Sequence, residues 1–175
     1  MFYGYLFATL PTLKCGVPAE ITLADFDKIA GDVLSHRRFE QLVSWDDPEV
    51  QVKGVYREMR EFDRFLKLRI AENRQEKLGL FTGLPEPDDF YSEVDFALPA
   101  AAASDDPLER ERMVDLIRWG KIDDLETGHE LDFVSLCCYR LRLASLEKYH
   151  RRNAVDGTAV FEETVNRLSG VINEM

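Results

Sequence analysis

The sequence feature that most constrains the fold is the stretch of residues 131–152, LDFVSLCCYRLRLASLEKYHRR. If it is helical, with successive side chains about 100° apart, its apolar residues cover most of the circumference. A helix of this kind is buried between other elements. Asp132 is placed to cap its first turn, and the cations from Lys148 to Arg152 crowd its last turn, where the helix dipole favours positive charge. The stretch therefore predicts a central helix that the rest of the chain surrounds.

Start signals in the first half of the chain predict amphipathic helices that cover this central helix. Thr22 with Asp25 three residues later has the spacing of a capping box and predicts a helix from about Leu23 to Leu34. A second, short helix should follow Ser35, because apolar residues recur there at helical spacing.

Two Asp-Pro pairs predict the longer helices. Asp47-Pro48 predicts the start of the longest one, which runs to about Leu78, because proline lacks only an N–H that the first helical turn does not use. Asp106-Pro107 predicts another helix, which runs to about Leu125. A turn at Asp156-Gly157 then precedes a last helix.

These elements predict an all-α or mainly α protein, a bundle of about six helices in two halves around the central helix. The N-terminal helical half covers residues 1–78, and the C-terminal helical half covers residues 105–175. Between them, residues 79–104 are rich in Pro, Gly and Ala and predict a surface crossover pinned by aromatic side chains. Residues 2–10, FYGYLFATL, fit either a short strand or a helix. The two halves are expected to form one compact domain.

Composition limits the class of function. The chain has 175 residues, 45% of them hydrophobic, and a net charge of −11. This charge argues against nucleic acid as a partner, since phosphate binding needs a positive field. No apolar run is long enough to insert into a membrane, and the N-terminus lacks the basic region of a signal peptide. Three cysteines, two of them adjacent, suit a reducing compartment, so we expect a cytoplasmic protein.

No motif in the sequence predicts catalysis, a cofactor or a metal. Cys137 and Cys138 would point about 100° apart on a helix, so they cannot converge on an ion and are expected to fill the core. The acid-rich turn around His129 could hold a divalent cation or a cryptic active site, but solvated acids and a capping aspartate explain the same residues. Nothing resembles a phosphate-binding loop, a nucleophile elbow or a dinucleotide fingerprint. We therefore expect that the protein is not an enzyme.

A basic ridge is the sequence pattern that most favours a protein partner. Five cations on the predicted longest helix repeat at spacings of four and three, opposite its apolar stripe. Such a ridge on an acidic protein favours docking to an acidic partner surface. Charge runs of this kind are also typical of an ordinary solvated helix face. The candidate docking residues are Lys53, Arg57, Arg60, Arg64 and Lys67.

Several blocks of sequence resemble a bacterial family of unassigned function whose members tend to be encoded among the genes of V-type (A-type) rotary ATPases. That family also looks distantly like the C subunit of these ATPases. The matching blocks are short, and together they touch most of the chain outside residues 79–104. They are Tyr3-Gly4-Tyr5-Leu6, Leu10-Pro11-Thr12-Leu13, Thr22 to Phe26, Asp106-Pro107-Leu108-Glu109, Arg118-Trp119, Asp123-Asp124-Leu125, and Gly128 to Phe133 followed by Tyr139, Leu141, Leu143, Leu146 and Glu147.

The resemblance implies a non-catalytic part of a rotary ATPase. The C subunit of such machines is a helical socket that couples the central stalk to the membrane rotor. The chain is about half the length of a full C subunit, so a reduced coupling subunit, an assembly factor and a regulatory adaptor are all compatible with it. Its partners would be stalk or rotor subunits, and it would sit peripherally on the cytoplasmic face of the membrane. The alternative is a free-standing cytosolic scaffold or regulatory protein.

Overall fold

The computed structural model describes residues 3–80, 83–85 and 89–154, and these residues confirm the all-α class. They contain no strand. The helices are α1 (Gly4–Thr9), α2 (Leu23–Val33), α3 (His36–Val43), α4 (Val55–Leu78), α5 (Ser92–Ala103), α6 (Pro107–Glu126) and α7 (Phe133–Ala154), with a short 3₁₀ turn at Ser44–Asp46 after α3. The helix predicted after Asp156-Gly157 lies outside the described residues.

The predicted central helix is α7, and it is buried as expected. Its side chains from Ser135 to Leu141 are all buried, and so are Leu143 and Leu146. Helices α2, α3, α4 and α6 all pack against it. Burial around the whole circumference explains why its apolar residues do not keep to one stripe.

Side chains at the starts of three helices accept hydrogen bonds from backbone N–H groups in the first turn, as predicted. Thr22 and Asp25 form a complete capping box at the start of α2. At the start of α6, the Asp106 carboxylate accepts from the N–H of Leu108. The Asp132 carboxylate accepts from two N–H groups in the first turn of α7, at 2.8 and 3.0 Å. These three predictions are confirmed, because each depends only on residues close in sequence.

The predicted start of the longest helix at Asp47-Pro48 is wrong. Helix α4 begins at Val55, directly after Gly54, whose φ of +57° lies in the region that favours glycine. Residues 47–50 form a turn instead. The carboxylate of Asp47 accepts from the N–H of Glu49, and its carbonyl accepts from the N–H of Val50. The helix ends as predicted, at a left-handed Gly79 that follows Leu78.

Half of the predicted crossover is helical. Helix α5 spans Ser92–Ala103 and contains Pro99, which had suggested an interruption. Its buried residues Val94, Leu98 and Ala101 recur at spacings of four and three, so one face packs on α4 and α6. Packing of this face and the helix preference of alanine offset the hydrogen bond that proline cannot make.

Aromatic side chains hold the segment before α5 against α4, as the sequence predicts. The ring of Tyr91 lies 5.1 Å from that of Phe62 and 5.4 Å from that of Phe65, both in edge-to-face geometry. Phe90 also contacts Phe65 edge to face. Phe96, on α5, is 90% exposed and takes no part.

The ambiguous N-terminal segment is a helix, not a strand. Helix α1 buries Leu6 and reaches the start of α7, where the N–H of Tyr3 donates to the carbonyl of Leu131 at 2.7 Å. Further along, the carbonyl of Pro11 accepts from the hydroxyl of Tyr139 on α7. Both contacts tie the N-terminal segment to the central helix.

Candidate functional site

The five predicted docking cations are divided between two surfaces. Lys53 precedes α4 and is not on the helix. Arg57 and Lys67 are exposed on α4, but each is paired at 2.8 Å with an acid one turn away on the same helix. Arg64 is exposed, and among the described residues no carboxylate lies within ion-pair distance of it. Helical periodicity placed four of the five correctly on α4, but it could not show which of them are neutralised.

Arg60 points back onto the loop that precedes α4. Its guanidinium donates to the carbonyls of Val50 and Asp47, both at 2.7 Å, and to that of Trp45 at 3.2 Å. It also lies 5.6 Å from the centroid of the Trp45 ring, as a cation–π contact. These contacts give several carbonyls of the loop a charged donor and hold the loop against α4. Arg60 therefore stabilises the loop before α4, and a docking role for this residue stays a prediction.

A basic cleft forms where α3 begins and α4 begins, and it brings Lys53 together with two cations that the sequence analysis did not single out. The cleft has a volume of about 470 Å³, and Arg37, Arg38 and Lys53 line it. Glu40 also lines it but lies 3.2 Å from the imidazole of His36. Among the described residues, no carboxylate lies within ion-pair distance of the three cations. We call the cavity lined by Arg37, Arg38 and Lys53 the basic cleft.

The floor of the basic cleft is apolar. Val52, Phe133 and Cys137 line it. The guanidinium of Arg38 lies 4.5 Å from the centroid of the Phe133 ring, which holds this cation at the edge of the floor. Gly54 lies at the rim, where an added Cβ would meet nothing within 4 Å. The cleft therefore combines positive side chains with an apolar surface and an open rim.

Among the described residues, Arg140 is the largest buried charged side chain, and it was not predicted as a site residue. It is 1% exposed in the middle of α7. Its guanidinium donates twice to the carboxylate of Asp27 on α2, at 2.8 Å, and twice to that of Asp46 in the 3₁₀ turn. Burial alone lowers the pKa of Arg140, but the two carboxylates more than reverse this and raise it above its ordinary value. We call Arg140, Asp27 and Asp46 the core ion triad.

The position of Arg140 among the apolar residues at the centre of the predicted helix was the available signal. A buried charge must be paired, so Arg140 could have been marked as needing a carboxylate. Nothing in the sequence says which one, because Asp27 and Asp46 lie 113 and 94 positions away along the chain. The core ion triad therefore joins α2, the 3₁₀ turn and α7 through polar contacts.

A second ion-pair group joins α4 to α6. Asp63 on α4 accepts from Arg118 on α6 at 2.8 Å and lies 2.8 Å from the ammonium of Lys67. Arg118 also contacts Asp115 at 3.1 Å. Burial raises the pKa of Asp63, but the nearby Arg118 and Lys67 outweigh it, so the pKa lies below its usual value of 3.8. Asp63 is therefore ionised and stabilising at neutral pH.

Replacing Asp63 with asparagine should lower the free energy of unfolding at neutral pH by about 1 to 3 kcal/mol, since Arg118 then loses a buried partner. A carboxylate with a lowered pKa contributes stability that is present above its usual pKa of 3.8 and is lost as the pH falls through the folded value. The difference between Asp63→Asn and the natural protein should therefore shrink below pH 3.8. Urea unfolding at several pH values measures it, with the exposed Asp124→Asn as control. A difference that stays constant at acidic pH contradicts this assignment.

The turn around His129 serves to connect α6 and α7. The Nδ1 atom of His129 lies 2.8 Å from the carboxylate of Asp132, which also caps α7. Of the other acids in the turn, Asp123 and Glu126 both pair with Arg142. Among residues 3–80, 83–85 and 89–154, no group of three or more His, Cys, Asp or Glu side chains could hold a metal ion. In the described part of the chain, Asp132 therefore caps a helix, whereas Asp123 and Glu126 pair with a cation.

The adjacent cysteines fill the core, as predicted. Cys137 and Cys138 are both buried, and burial raises the pKa of each thiol to about 12. Cys15, in the loop after α1, is partly buried, and burial together with Asp115 raises its pKa. All three thiols are therefore protonated and poorly nucleophilic at neutral pH.

Comparison with known proteins adds no relative. No protein-family model, curated protein or solved structure matches the chain. Within the part of the chain that the structure describes, no helix is both long enough and apolar enough to span a bilayer.

Proposed function

We propose that the chain is a non-catalytic accessory protein of a bacterial V-type ATPase, similar to the C subunit of that machine, which couples or assembles the central stalk and the membrane rotor. The proposal combines the sequence resemblance with a docking role for the basic cleft. In it, the protein acts through contacts with stalk or rotor subunits and performs no chemistry of its own.

The observation that carries the docking role is the distribution of charge. The chain has a net charge of −11, yet Arg37, Arg38 and Lys53 line one cleft without ion-pair partners among the described residues. Arg64 is a further exposed cation, on α4. A local positive field on an acidic protein steers it toward an acidic partner surface and fixes the orientation of the complex.

The blocks that carry the resemblance also belong to one structural unit. Tyr3 and Pro11, from the first two blocks, bond to Leu131 and Tyr139, from the last block. Asp106, which begins another block, caps α6, and Asp132, also from the last block, caps α7. The resemblance thus falls on residues that organise the helices, which supports a shared helical fold.

A second candidate is a free-standing scaffold that associates with itself. Exposed aromatic side chains on and beside α5 favour it, since Phe96 is 90% exposed and Phe90 is 72% exposed. Exposed apolar side chains form an interaction site where they make one contiguous patch. Light scattering at increasing protein concentration separates the candidates: a scaffold of this kind self-associates, whereas an isolated accessory protein stays monomeric.

The experiment that tests the proposed function is a tagged purification from gently solubilised native membranes, with the co-purifying chains identified by mass spectrometry. We expect stalk and rotor subunits of the ATPase in near-stoichiometric amounts. Recovery of the protein alone, from membranes in which the ATPase is intact, contradicts the proposal and leaves the scaffold as the better description.

A further inference from the structure

We propose that the basic cleft binds an acidic segment of a partner protein, with carboxylates on Arg37 and Lys53 and an aliphatic side chain on the apolar floor. The inference rests on the proposed function only in that the partner is a protein. It names the surface that docks and the chemistry that the surface recognises.

The positive charge of the basic cleft favours carboxylates as the groups that bind there. The basic cleft has three cations, and its acid, Glu40, lies beside the imidazole of His36. Arg37 and Lys53 are exposed at the rim, so both can reach a bound segment. A nucleic acid needs positive charge along several successive phosphates, which a chain with a net charge of −11 does not provide. The repulsion that disfavours a nucleic acid is weaker for a short segment whose few carboxylates all lie within the cleft.

The floor selects an apolar side chain beside the carboxylates. A small ion would leave Val52, Phe133 and Cys137 without a contact. A volume of about 470 Å³ falls in the range of about 300 to 1,000 Å³ that is usual for pockets that enclose a ligand. The cleft therefore has room for one or two side chains of an amphipathic segment, which would bury apolar surface while its carboxylates meet the cations.

One cation of the basic cleft is already oriented. Arg38 is held on the Phe133 ring by its cation–π contact and on Gln41 by a weak hydrogen bond of 3.4 Å. A side chain that is ordered before binding loses less conformational entropy when the partner arrives. Arg38 therefore marks the fixed end of the site, and Arg37 and Lys53 complete it on binding.

The direct test measures fluorescence anisotropy of a short labelled peptide of glutamate and leucine, titrated with the full chain. A matched peptide with glutamine in place of every glutamate is the neutral control. We expect saturable binding of the acidic peptide that weakens with added salt, because exposed charges are screened. Equal binding of the two peptides, absence of binding, or binding only to vesicles of anionic lipid overturns the proposal.

Charge-reversal variants locate the site. The double variant Arg37→Glu/Lys53→Glu should weaken peptide binding on the order of tenfold or more, since two attractive contacts become repulsive. The matched control is Lys28→Glu/Arg74→Glu, which changes the net charge equally at positions outside the basic cleft. An equal loss in both double variants overturns the proposal, because it indicates attraction to overall charge. Unchanged urea midpoints confirm that both variants are folded.

The two proposals fail separately. If stalk and rotor proteins co-purify with the natural protein but the peptide does not bind, the proposed function stands and the basic cleft is not the docking site. If the peptide binds in the basic cleft but no part of the ATPase is recovered, the cleft stands and the partner is a different acidic protein.

Discussion

Replacing Arg140 with alanine is expected to lower the free energy of unfolding by about 3 to 5 kcal/mol, because two carboxylates then lose the cation that compensates them. Arg140 is 1% exposed, whereas Asp27 and Asp46 retain 22% and 53% of their side-chain exposure. Partial hydration of Asp46 places the effect toward the lower end of that range. Small domains are stable by only about 5 to 15 kcal/mol, so the loss is a large share of the total.

Urea unfolding followed by far-UV circular dichroism measures this effect as a shift of the midpoint at constant slope. The control is Arg57→Ala, which removes an exposed ion pair and should leave the midpoint nearly unchanged. Adding Asp27→Asn to Arg140→Met should recover part of the loss, since one uncompensated charge is removed. A midpoint for Arg140→Ala equal to that of Arg57→Ala contradicts a stabilising role for the core ion triad.

Replacing Arg60 with alanine should lower the free energy of unfolding by about 2 kcal/mol, because the loop before α4 loses the charged donor of its carbonyls. Arg64→Ala, one turn further along α4, should change it by less than about 0.5 kcal/mol, as is usual for an exposed position away from such contacts. Urea unfolding of the two variants provides the comparison, and hydrogen exchange shows whether protection is lost between Trp45 and Gly54. Equal effects at the two positions contradict the structural role of Arg60.

This pair of variants also decides how the predicted ridge is tested. Reversing the charge of Arg60 together with Arg64 mixes a folding defect with any effect on a partner. Reversal of Arg64 alone, or of Lys53 in the basic cleft, avoids that ambiguity because both side chains are exposed.

Local features of the fold were predictable, because they depend on neighbouring residues. Thr22, Asp106 and Asp132 cap helices through N–H groups two or three positions away. The apolar circumference of α7 predicted that this helix is buried, even though the sequence does not show which helices cover it. Asp47 shows the limit of such signals, because an aspartate before proline is compatible with both a helix start and a tight turn. Helix α4 begins only after Gly54, whose φ is positive.

Long-range features were not predictable from one sequence. Pro99 and the alanines after it predict an irregular crossover from the sequence alone. The segment is helical because α5 packs on α4 and α6, which the sequence does not show. Periodicity assigns Arg60 to the outer face of α4, but it cannot show that the side chain reaches back to the loop. The basic cleft depends on α3 and the start of α4 lying together, so Arg37 and Lys53 become neighbours only in three dimensions.

The core ion triad also has a consequence for a helix that it does not touch. The bond between Tyr139 and Pro11 joins positions 128 apart, so attaching α1 to α7 on its own means closing a very long loop. Once Asp27 holds α2 against α7, only the linker from residue 10 to residue 22 remains to be closed. Loop-closure entropy grows with the logarithm of length, so this order lowers the cost of attaching α1 by about 2 kcal/mol. Arg140 therefore favours the attachment of α1 without touching it, because the ion pair with Asp27 shortens the loop that remains to be closed.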